Sequence, residues 1–137
     1  MGMFDALEIS GTGLTAQRLR MDVTAENLAN AQSTNYRRKE VVLQQAQAGG
    51  SSFGATLDAA STRGVEVAGV VQDSSPGKRV YDPGNPAADA KGYVTMPNVD
   101  SVTEMVDLIG SSRAYEANVT AMQTAKTIFA RTLDILK

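Results

Sequence analysis

The sequence predicts an α+β fold: long N- and C-terminal α-helices packed as a coiled-coil-like pair, with a small β-containing middle region. Three observations carry this. Leu7, Leu14, Met21 and Leu28 recur every seven residues near the start, which holds them on one helical stripe. Leu108, Tyr115, Met122, Phe129 and Leu136 do the same at the end. Between the two, β-branched runs alternate with Pro-Gly and Gly/Ser segments, the signature of short strands and turns. The chain divides accordingly into a core helix over 1–31, an extended or β middle region over 32–97 with a flexible loop at 46–64, and a core helix over 98–137.

In the first helix, Asp5 is the expected N-cap with Glu8 at the third position, a capping box with Asp in place of Ser or Thr. Gly11 and Gly13 each cost roughly 1 kcal/mol of helix stability against Ala, so the first turns are expected to be soft or bent. The stripe stops near Asn30 and Ala31. At its end stand Asn27 and Asn30, then Asn35, Tyr36 and the triplet Arg37-Arg38-Lys39. Asn is a poor interior helix residue because its amide competes for backbone groups. Asn27 and Asn30 read either as ordinary C-caps or as amides reaching neighbouring chains. The triplet reads as a solvated edge or a salt bridge between subunits rather than a phosphate contact, since no aromatic platform accompanies it.

In the middle, 36–45 reads as a strand or extended segment, 48–64 as a Gly/Ser/Ala loop, and 64–73 as a strand. Lys78–Tyr81 is a short strand set off by Pro76-Gly77 and Pro83-Gly84, and a further extended stretch ends at Pro97. Asp82, Asn85 and Asp89 do not have the spacing of an EF-hand and are expected to serve turn chemistry.

In the last helix, Ser101-Val102-Thr103-Glu104 reads as a capping box. Val119 belongs to a companion row that also carries Ser112 and Lys126. Polar residues in such a seam cost stability and fix register and partner. Asp22 with Glu26, and Glu104 with Asp107, are expected on solvated helix faces. At 1.5 Å per residue the two helices reach about 39 Å and about 54 Å. Helices of that length share one stripe and leave apolar surface uncovered, and the middle region has few large apolar residues to cover it. Uncovered surface costs roughly 25 cal/mol per Å2, so other chains are one solution. Periodicity alone leaves a self-contained helical hairpin with a β insertion equally open.

Composition narrows the function. The 137 residues carry a formal charge of -2, with 13 basic and 15 acidic side chains, which disfavours a dedicated nucleic-acid binder. His and Cys are absent; the commonest zinc ligands and the usual nucleophile–base pairs are therefore unavailable. No GxSxG, SxxK, P-loop or GxGxxG occurs. No enzyme, cofactor or metal site is expected. No apolar run reaches the length of a membrane span, and the start, MGMFDALEISGTG, has no basic region followed by an apolar stretch, so no cleaved secretory signal is expected. Ala6 at the position where myristoylation needs Ser or Thr speaks against that modification.

The stretch GLTAQRLRMDVTAENLANAQSTNYRRKEVV resembles the N-terminal motif of flagellar rod, hook and related axial proteins. YDPGNPAADAKGYVTMPNVD followed by EMVDLIGSSRAYEANVTAMQTAK is similar to the proximal-rod members of that family. The similarity covers essentially the whole chain and is weakest over 46–75. Two positions depart from the pattern: Asn35 stands where the family usually has Gly, and Asn85 where it often has His. Asn tolerates the left-handed backbone, so the turn at 35 is expected to survive. The resemblance implies a structural subunit of the hollow drive shaft of the basal body, spanning the periplasm. It implies export through the flagellar type III apparatus without a cleaved signal, and polymerisation through the terminal helices. Implied partners are copies of itself and other rod proteins (FlgB, FlgF, FlgG and FliE), with neither nucleic acid nor membrane insertion. The implied assembly surface is Leu7, Leu14, Met21, Asn27, Leu28, Asn30, Tyr36 and Arg37, with Leu108, Tyr115, Val119, Met122, Phe129 and Leu136. Before assembly the termini are expected to be largely disordered, since an isolated seam has little to bury. The alternative is a soluble helical-hairpin binding module or export-linked chaperone, which would be folded alone. A cell-wall hydrolase would need a carboxylate pair in a cleft.

Overall fold

The computed structural model describes residues 3–46 and 64–135. Helix α1 runs Met3–Ala29, strands β1 Lys39–Gln45, β2 Val65–Gln72, β3 Lys78–Tyr81 and β4 Tyr93–Met96 follow, and helix α2 closes the order at Ser101–Ile135. The expected α+β architecture is therefore present: two long terminal helices packed side by side, with two small antiparallel sheets, β1–β2 and β3–β4, between them in the sequence. The flexible loop expected over 46–64 lies, apart from its two ends, outside the described residues.

Both helix starts differ from the sequence expectation. α1 is already helical at Met3, so Asp5 is not its cap but an acid within the first turn, where the helix dipole favours it. α2 is capped by Asp100, whose Oδ1 accepts hydrogen bonds from the N–H of Val102 at 2.9 Å and of Thr103 at 3.4 Å. Ser101 is thus the first helical residue, and Glu104 is released from the capping box for another task.

α1 passes through Gly11 and Gly13 without interruption. At Gly13 the two helices run close: a Cβ placed there would stand 3.1 Å from Asn118 Nδ2, the end of a side chain that would have to give by a few tenths of an ångström. The glycine lets the helices approach, which offsets part of its cost in helix propensity.

In β1–β2, Val42 pairs with Gly69 and Leu43 with Val67, so Ala68 is an extra residue that bulges β2 and adds twist. The Val65 N–H donates to Thr12 Oγ1 at 3.1 Å, pinning the start of β2 to α1. In β3–β4 the register runs from Lys78 opposite Met96 to Tyr81 opposite Tyr93. A side chain at Gly77 would collide with the Met96 carbonyl, so the strand entry requires glycine. The turn between these strands is built by Asp82, Asn85 and Asp89, as expected: Asn85 Oδ1 accepts from the Ala87 N–H, and Asp89 Oδ1 from the Lys91 and Tyr93 N–H groups.

The buried apolar side chains are small and strung out: Ala16 and Val23 on α1, Val41 on β1, Val94 on β4 and Val99 ahead of α2. Other apolar side chains, Val102, Val106, Ile109 and Tyr81 among them, stand in solvent. The lone chain leaves apolar surface of both helices and sheets uncovered.

Candidate assembly joint and interface

The most enclosed part of the molecule is polar. Asn27, in the last turns of α1, is 1% exposed. Its Nδ2 donates to the Lys39 carbonyl at 2.8 Å and to Glu104 Oε2 at 3.0 Å. Its Oδ1 accepts from the Tyr36 hydroxyl and from the Lys39 N–H, both at 2.9 Å. Two donors and two acceptors exhaust a primary amide. One side chain thereby ties the end of α1, the connecting turn, the start of β1 and the first turn of α2.

Glu104 is the second member, also 1% exposed. Burying a lone carboxylate costs several kcal/mol unless it is paired and hydrogen-bonded. Arg38 supplies the pairing through Nε, 2.6 Å from Oε1, while its other nitrogens lie 3.5 Å from Glu40 and 3.6 Å from Asp107. The hydrogen bond from Arg38 to Glu104 holds the guanidinium pKa above its ordinary value. The Arg38 N–H also donates to Asn98 Oδ1 at 2.9 Å. Burial, and then the charges of Glu26 and Glu104, raise the Tyr36 phenol above 10.0 against the opposing effect of Lys39. The joint is thus a run of hydrogen bonds that passes from one phenol through one amide and one carboxylate to one guanidinium. Beside it a cleft of about 420 Å3 is walled by Gln17, Arg20, Glu40, Asp107, Gly110 and Ala114.

The chain enters this run through a left-handed residue: Asn35 has φ of 65°, the conformation expected there. Asn30 stays local. Its Nδ2 donates to the Glu26 carbonyl at 2.9 Å and its Oδ1 accepts from Ser33 Oγ at 3.1 Å, so it caps the end of its own helix.

Several sequence expectations change here. Asn27 has no hydrogen-bonding capacity left for a neighbouring chain, because its own fold uses all of it. Asn30 performs the ordinary capping role. Glu104 is not a solvated helix charge; only its companion Asp107 is, at 47% exposure. Of the basic triplet, Arg38 and Lys39 form ion pairs within the chain, Lys39 with Glu26. Arg37 is exposed and has no ion-pair partner among the described residues. Arg38 and Glu104 form a pair that the sequence alone does not reveal. They stand 66 residues apart, and no local pattern joins them.

The heptad residues occupy an intermediate position. Leu7, Leu14, Met21 and Leu28 on α1, and Leu108, Tyr115, Val119 and Met122 on α2, are all half-buried. Pairing the two helices covers one flank of each ridge and leaves the other open. Phe129 is 37% exposed, and Leu136 lies outside the described residues.

Comparison with known proteins gives two family matches. Residues 7–37 match the flagella basal body rod protein family, and residues 90–135 match the C-terminal family of flagellar basal body rod FlgEFG proteins. The first match spans most of α1 and the turn as far as Arg37; the second spans β4 and α2. Among curated relatives, the flagellar basal-body rod protein FlgC of Escherichia coli O6:H1 is 46% identical over 98% of this chain and 98% of its own. The FlgC of Bacillus subtilis is 44% identical over 100% of both chains. That of Borreliella burgdorferi is 41% identical over 100% of this chain and 99% of its own.

Proposed function

Because this chain belongs to the FlgC family of flagellar basal-body rod proteins and is a structural subunit of the basal-body rod, we propose that it builds the proximal part of that rod through its paired terminal helices. The observation that carries the proposal is the half-buried ridge running from Leu7 to Leu28 and continued on α2 by Leu108, Tyr115, Val119 and Met122. A ridge covered on one flank only is the surface a neighbouring subunit completes, since each buried apolar side chain contributes about 1.5–3 kcal/mol.

The joint sets what the ridge is attached to. α1 and α2 form the wall of a hollow shaft, and the chain leaves the wall at Tyr36–Lys39 to form the two small sheets on its outside. Asn27, Arg38 and Glu104 fix the angle at which it leaves. Arg37, exposed at the same place, meets an acidic group of a neighbour. Copies of this chain and the other rod proteins are the partners, and the flagellar export apparatus delivers the chain across the inner membrane to the periplasmic shaft without a cleaved signal.

Leu28→Asp and Met122→Asp place a carboxylate on the open flank of each ridge. Both are expected to abolish swimming while leaving a soluble chain that is still exported. Wild-type swimming by these variants would contradict the assembly role of the ridges.

A further inference from the structure

The first turns of α2 present a second apolar surface, separate from the heptad ridge. Val102 is 70% exposed, Val106 62%, Ile109 53% and Met105 48%, and positions 102, 105, 106 and 109 fall on one helical stripe. The opposite side of these turns holds Glu104 and Ser111, both buried, so the stripe points away from α1. Gly110 borders it, and a Cβ built there would stand in open space, clear of every other element among the described residues; internal packing gives no reason for a glycine.

At the same height on the other side of the helical pair, α1 exposes Asp22, Ala25 and Ala29. The common height follows from the 3.0 Å bond between Asn27 and Glu104. This second surface is shallow where the first is raised. Arg113, one turn beyond Ile109, and Asp22 are both exposed, as is Arg18 one turn before Asp22 on the same face, and none of the three has an ion-pair partner among the described residues.

We infer that the Val102–Val106–Ile109 stripe of α2 docks on the Asp22–Ala25–Ala29 face of α1 of a second copy, with Arg113 meeting Asp22 across the contact. This rests on the assembly reading above and names the surfaces it uses. The two faces lie on opposite sides of one subunit, so the contact is heterologous and repeats from copy to copy around a shaft. Packing the α2 stripe against its own counterpart by two-fold symmetry would instead stop growth at a dimer.

The natural chain has no cysteine, which makes the test clean. Copies carrying Val106→Cys and copies carrying Ala25→Cys are expressed together in cells lacking the native gene, and purified basal bodies are treated with a short bismaleimide. A cross-linked dimer of this chain is expected when both variants are present and with neither variant alone. Basal bodies that contain both variants but yield no such dimer, or yield an adduct with a different protein, would overturn the inference and leave the assembly reading intact. Absence of the native chain from wild-type basal bodies would overturn the assembly reading itself. A second arm covers variants that fail to incorporate. Arg113→Glu and Asp22→Arg are each expected to reduce swimming, and their combination to restore it; a double variant no better than the singles would also overturn the contact.

Discussion

Asn27 and Glu104, 77 residues apart in the chain, share a 3.0 Å hydrogen bond in the least exposed part of the molecule. That bond sets the height of α1 against α2 and closes the middle of the chain between them. The consequences for both ends of the molecule follow from it.

Asn27→Ala leaves the Tyr36 hydroxyl, both backbone groups of Lys39 and one oxygen of Glu104 without the amide that satisfies them. Each stranded buried group costs about 1–3 kcal/mol. Loss of rod assembly is expected, read as the absence of the chain from purified basal bodies at normal export. Asn27→Asp keeps the shape but sets a second carboxylate against Glu104, and is expected to be at least as damaging.

The Arg38–Glu104 pair has an asymmetric dependence. Arg38→Met leaves the Glu104 carboxylate, 1% exposed, without its counter-charge, whereas Glu104→Leu leaves a guanidinium that is 22% exposed and still near Glu40 and Asp107. The first is expected to cost roughly 3 kcal/mol and the second less, with the double variant milder than the sum, because an apolar pair replaces an ion pair at small net cost. The urea midpoint for dissociation of purified basal bodies measures all three.

Asn35 holds φ of 65°, so Asn35→Gly is expected to leave swimming unchanged. Asn35→Val forces a β-branched residue into the left-handed region, at about 1–2 kcal/mol or more, and is expected to reduce assembly. Equal behaviour of the two variants would contradict the turn assignment.

The architecture was legible where local chemistry decides it. Lys78–Tyr81 could be placed because Pro-Gly steps bound it on both sides; the left-handed turn at Asn35 was expected because the family that the stretch resembles usually has Gly there. The joint was not legible, because its members are distant in sequence and each has a plausible local reading. Ser101 to Glu104 satisfies a capping-box pattern, yet Asp100 takes the cap and frees Glu104 for Arg38. Asn27 fits a helix end as well as it fits a hub. Gly13 reads as a weak point in a helix until the proximity of Asn118 shows what the missing side chain makes room for.

The turn between β3 and β4 carries a pH dependence. The Tyr93 N–H, and after it the Lys91 N–H and the charge of Arg79, hold the Asp89 carboxyl below its ordinary 3.8. A depressed carboxyl favours the folded turn fully above 3.8, and that contribution is lost as pH falls through the folded value. The Tyr93 amide signal in NMR spectra of the purified chain is expected to shift with a midpoint below 3.8, and to lose that transition in Asp89→Asn.

A density map of the intact basal body tests the assembly role of the helical pair most directly. The expected map shows α1 and α2 side by side in the wall of the shaft, with the open flank of Leu7, Leu14, Met21 and Tyr115 covered by neighbouring copies. A map in which that flank faces the lumen or the outer solvent, while the β3–β4 hairpin makes the contacts between subunits, would contradict it.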